Sequence, residues 1–153
     1  METIGDFVRG KPRLAASIAF GLSTATLTHF AWYPDVRTSG MMPALTLGAG
    51  LAHAAAGALT GPRLIDATRT PTSSHAALLG AGTSLLAVAF FAPLMAWYVS
   101  ATNARASVLG YAVMTLFTGL FAFLGAGWAL LLLSICAGWG LHRLASVNGR
   151  GDP

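Results

Sequence analysis

AALLGAGTSLLAVAFFAPLMAWYVS, residues Ala76 to Ser100, contains no Asp, Glu, Lys or Arg, and it exceeds the ~20 apolar residues that carry a helix across a ~30 Å hydrocarbon layer. Three further blocks, Leu14 to Trp32, Met42 to Thr60 and Val108 to Leu141, are equally free of charge. The natural solvent for most of this chain is therefore lipid. The expected fold is all-α: a polytopic integral membrane protein, a four-transmembrane-helix bundle, built as one domain over residues 1–153. Its helices are expected at about 14–32, 42–60, 76–100 and 108–141, with 61–75 as a cytoplasmic loop and both termini cytoplasmic.

Composition agrees with the blocks. Hydrophobic residues make up 55% of the chain and charged residues 9%, against roughly 25% charged in soluble domains. The net charge of +4 does not imply nucleic acid, because the basic residues are scattered singly and form no stripe. Their distribution speaks to topology instead. Arg9, Lys11, Arg13, Arg63, Arg69, Arg143 and Arg150 fall on one side of the expected crossings, and only Arg37 and Arg105 on the other. Positive residues favour the cytoplasmic side, so both ends and loop 61–75 are expected there. Trp32, Tyr33, Trp97, Tyr98 and Tyr111 cluster at the expected outer boundary, and Trp139 marks the inner one, where amphipathic rings prefer to sit. A basic start followed by an apolar run also resembles a secretory signal. The run continues past Ser23-Thr24-Ala25 to Trp32, however, which favours a retained first helix. The short loops and Ala/Gly-rich composition suggest a bacterial-type inner membrane.

The connections read as turns and caps. Pro34 and Gly40 give the first loop turn chemistry, and Pro43 suits a first helical turn, where a missing N–H costs nothing. Ser73 or Ser74 is the expected cap of the third helix. Pro93 removes a backbone hydrogen bond inside that helix and is a candidate kink. The fourth block, at 1.5 Å per residue, would be about 51 Å long. It must tilt, extend beyond the bilayer, or break at Gly125-Ala126-Gly127; two crossings in place of one would put the C-terminus outside.

Small and weakly polar residues recur at spacings of three and four. On the second helix these are Thr46, Ala49, Gly50, His53, Ala56, Gly57 and Thr60; on the first, Ser17, Gly21, Thr24 and Thr28; on the third, Gly80, Thr83, Ser84 and Ala87. In lipid, close approach over small residues and interhelical hydrogen bonds drive association, so these faces are expected to pack. His53 is the best candidate for chemistry, since it is an ionisable residue well inside the layer. A neutral imidazole bonded within the bundle accounts for it with fewer assumptions. Haem ligation by His29 and His53 within one subunit is disfavoured by a height difference of about 10 Å, which leaves pairing across subunits open. A copper site from His29, Met41, Met42 and Met95 lacks any spacing that forces convergence.

The acidic residues Glu2, Asp6, Asp35, Asp66 and Asp152 all lie in ends or loops. There is no Gly-x-Ser-x-Gly elbow, phosphate loop or His-Glu-x-x-His motif. The lone Cys136 has no intramolecular partner for a disulfide. Neither an enzyme nor a resident cofactor or metal is expected. The sequence points first to a non-enzymatic accessory or structural subunit that partners the bilayer, itself or other membrane subunits. The alternative is a small oligomeric channel or facilitator with Thr, Ser and His53 lining a passage.

Overall fold

The computed structural model describes residues 3–31, 42–66, 72–102 and 107–147. The turn with Pro34 and Gly40, the aromatic pair Trp32 and Tyr33, Met41, and the charges Arg37, Arg69, Arg105 and Arg150 lie outside the described residues. Among the described residues the chain is helical throughout: α1 Ile4–Gly10, α2 Pro12–Ala31, α3 Met42–Ile65, α4 Ser73–Thr102, α5 Val108–Ala122, a π turn Phe123–Gly127, and α6 Trp128–Val147.

Three of these helices are long and apolar enough to cross a membrane: Pro43–Ile65, Ser73–Ala101 and Trp128–Ser146. Helix α2, 20 residues long, is not among them, and its first turn holds Pro12 and Arg13. Part of its polar face is turned inward, while Thr26 and His29 are exposed. Ser17 donates to the Ala54 carbonyl of α3 at 2.9 Å, Ser23 donates to the Ala19 carbonyl at 2.6 Å, and Thr24 is buried. Leu14, Ile18, Leu22 and Phe30 occupy the outside.

Several boundaries differ from the sequence reading. Helix α3 runs on through Gly61 and Pro62 to Ile65, where the Asp66 N–H donates to the Pro62 carbonyl at 3.1 Å. The connection after it is correspondingly shorter than 61–75. The cap of α4 is Thr72 and neither Ser73 nor Ser74: its hydroxyl accepts from the His75 N–H at 3.3 Å and pairs with His75 Nδ1 at 2.8 Å. Helix α4 continues through Pro93, whose carbonyl accepts from the Tyr111 hydroxyl at 2.9 Å. The fourth block extends to Val147 as one helical path. Backbone angles stay right-handed helical at both junctions of the π turn, which falls where Gly125-Ala126-Gly127 had suggested a break.

Helix α1 has no counterpart among the expected elements. A capping box starts it: the Thr3 hydroxyl accepts from the Asp6 N–H at 3.2 Å, and the Asp6 carboxylate accepts from the Thr3 N–H at 3.1 Å. Val8 then joins a cluster with Ala15, Ala16, Phe20, Leu64, Ile65, Ala76, Leu141 and Ala145. This cluster draws together the starts of α2 and α4 with the ends of α3 and α6. Both ends of the described chain therefore lie at one end of the bundle, which is filled and closed.

Candidate functional site

The small-residue faces meet one another inside this single chain. Gly21 and Gly50 bring α2 and α3 together: a Cβ on Gly21 would lie 2.9 Å from the Ala54 Cβ, and one on Gly50 would lie 3.1 Å from the Ala25 Cβ. One on Gly57 would stand 2.8 Å from the Ala16 carbonyl oxygen. Close backbone approach of this kind is the packing available to helices that gain nothing from hiding apolar surface. Gly80 of α4 likewise abuts the Ser134 carbonyl of α6, and a Cβ on Gly138 would stand 2.9 Å from the Ala76 carbonyl oxygen. The pairing of Ser134 and Gly138, one helical turn apart, went unremarked in the sequence because the surrounding leucines and tryptophans mask it.

Hydroxyls finish these seams. Thr60 and Thr83 share a hydrogen bond of 2.8 Å between α3 and α4, and each also donates to its own helix, at Ala56 and Leu79, in the alternative orientations of that bond. Thr83 and Ser84 are buried. The candidate residues Gly50, Gly57 and Thr60 are thus brought together as structural contacts.

His53 is placed differently. It sits at mid-length on α3 and is only 2% exposed. Its Nδ1 lies 3.2 Å from the Ala49 carbonyl one turn back. A carbonyl only accepts, so Nδ1 carries the proton, and in the neutral ring Nε2 is left as an acceptor. Among the described residues, Nε2 has no partner, and neither do the buried hydroxyls of Thr46 and Ser100. All three lie away from the closed end, where the described buried polar side chains have partners. His142, for example, directs Nδ1 to the Leu64 carbonyl at 3.4 Å.

His53 forms part of the wall of a cavity of about 320 Å³. Its other walls are Thr28 of α2, Leu45 and Ala49 of α3, Val88 and Phe91 of α4, and Leu130 at the start of α6. Met114, Phe117, Thr118 and Phe121 of α5 close the remaining side. The cavity exists because α5 stands off the bundle: no residue of α5 is buried, and α4 is the one helix on which it packs extensively. The π turn makes this possible. An i→i+5 turn inserts one residue into the helical count and changes the phase of everything before it relative to α6. Sequence reasoning found His53 and Thr46 from their spacing but not these apolar walls, whose convergence depends on that phase.

The other candidates do not converge. His29 is exposed near the end of α2, edge-on to Phe30 at 5.5 Å between ring centroids, and is not in the cavity wall. Met95 is buried against Gly48. Cys136 is exposed on α6. Among the described residues, no three His, Cys, Asp or Glu side chains gather in a way that could hold a metal ion. No protein-family model, no curated protein and no solved structure matches this chain, so its function is read from the arrangement of its own residues.

Proposed function

We propose that this chain is a four-crossing bundle of a bacterial-type inner membrane, with both termini cytoplasmic, acting as a non-enzymatic accessory or structural subunit of a membrane complex. Helices α2, α3, α4 and the continuous α5–α6 path are the crossings. The buried Thr24 and Thr28, the Ser17 bond to α3 and the outward Leu14, Ile18 and Leu22 support α2 as the first of them.

The observation that carries the subunit reading is where the contacts lie. The small-residue seams are spent within the chain, while α5, the π turn and α6 present Leu116, Leu120, Leu124, Trp128 and Leu132 outward, each more than half exposed. Partner subunits or further copies would meet this outer face. A passage through a single copy finds less support. The closed end itself is filled by Phe20, Leu64 and Ala76, all at or near zero exposure, and the hydroxyls of Thr60, Thr83 and Ser17 are already engaged.

Purification from native membranes in mild detergent, followed by native mass determination, tests the role. A stoichiometric foreign membrane chain is the expected result. A homo-oligomer that conducts solutes in liposomes would overturn it in favour of the channel.

A further inference from the structure

We propose that the cavity beside His53 is a binding site, reached from the lipid phase, for a neutral apolar molecule with one hydrogen-bond-donating group, such as a hydroxyl on an aromatic or polycyclic body. Four observations on different parts of the structure point to this occupant.

The first is size. Engineered cavities of about 150 Å³ accept benzene, so about 320 Å³ has room for a body of roughly ten to fifteen heavy atoms. The second is lining. Aliphatic and aromatic side chains dominate the walls, and their few polar groups are Thr28, His53 and Thr118, none of them charged in a neutral site. Neither an ion nor a zwitterion would recover its hydration there.

The third is the state of His53. With Nδ1 committed to the Ala49 carbonyl, Nε2 offers a lone pair and no proton. It can accept from a donor and can give nothing to a bare carbonyl or ether, so the ligand must bring the proton. Nε2 is covered by the protein's own atoms, so its cover must give slightly as the donor seats. The fourth is the route. Phe117 and Phe121, at the α5 edge of the cavity, are 56% and 67% exposed, so the mouth is lateral and faces lipid. The π turn sets the position of that edge, and such turns recur at functional sites in helices.

The lipid route rests on the proposed crossing by the α5–α6 path, but the site does not depend on the subunit role, and either of those two can fail without the other. The test uses the full chain in lipid nanodiscs with 1-naphthol as probe and 1-methoxynaphthalene, which lacks the donor, as comparison. Equilibrium binding should favour 1-naphthol about tenfold, the worth of one modest hydrogen bond. His53→Leu should abolish that preference and leave the two probes equal. Thr118→Trp, which fills the cavity from α5, should weaken both probes tenfold or more, whereas Leu116→Trp on the lipid side of α5 should change neither. The proposal is overturned if the unaltered protein does not distinguish the two probes, or if Thr118→Trp and Leu116→Trp behave alike. The probe comparison and the α5 variants keep it decidable even if His53→Leu does not fold.

Discussion

At the scale of residues, glycines in this chain divide sharply by what surrounds them. Gly80 has the Ser134 carbonyl where its Cβ would be, while Gly82, two residues on and facing outward, has open space. Gly80→Ala should therefore force α4 and α6 apart and cost about 1–3 kcal/mol, as overpacking does. Gly82→Ala should be neutral or stabilise by about 0.5–1 kcal/mol through helix propensity. Reversible unfolding in bicelles checks both, and equal effects would contradict the assigned seam. The Thr60–Thr83 bond is open to a double-mutant cycle with Thr60→Val and Thr83→Val. A coupling of about 0.6 kcal/mol is expected for an interhelical hydrogen bond in lipid, and zero coupling would remove it from the account.

Asp6, outside the membrane crossings, gives a prediction in pH. The Thr3 hydroxyl donates to its carboxylate at 2.6 Å, the Thr3 N–H adds a second bond, and Arg9 contributes least. Together they hold the carboxyl below its ordinary 3.8. A carboxyl lowered in the folded state stabilises the capped helix fully above the unfolded value, and this contribution is lost as pH falls through the lowered one. Thr3→Ala should shift the Asp6 titration, followed by NMR, back toward 3.8. An unmoved midpoint would show that the capping box is not formed.

At the scale of elements, the π turn is the feature with most consequence. Deleting Ala126 should convert it to an ordinary α turn, rotate α5 by about 100° relative to α6, and leave helix content unchanged by circular dichroism. Probe binding at the His53 cavity should then vanish. Retained binding would show that the phase of α5 does not shape the site.

The same element marks how far the sequence could be read. Charge-free blocks placed α2, α3, α4 and the 108–141 path within a few residues, because lipid imposes a length and a composition that local residues must meet. Periodic Gly, Ser and Thr identified the faces of α2, α3 and α4 that pack, since only small residues permit such approach. Helix α1 was missed because seven residues with Gly5 among them give no periodic signal, although Thr3 and Asp6 form its cap. His53 stood out as a buried ionisable residue. Its cavity did not, because Phe91, Met114 and Phe117 become neighbours only through the phase of a turn that hydropathy does not register.

At the scale of the whole molecule, the bundle is uneven from end to end. One end is filled by Phe20, Leu64 and Leu141 and covered by α1. The other holds the cavity and the buried polar atoms without partners. The starts of α2 and α4 meet the ends of α3 and α6 at the closed end, the arrangement that the proposed four crossings require.

Accessibility of single cysteines to a membrane-impermeant maleimide on intact cells, in a Cys136→Ser background, tests this most directly. Val36→Cys and Ala104→Cys should label from outside, whereas Glu2→Cys, Thr70→Cys and Ser146→Cys should label only after permeabilisation. External labelling of Glu2→Cys would remove α2 as a crossing, and external labelling of Ser146→Cys would divide the 108–147 path; either result would contradict the four-crossing bundle.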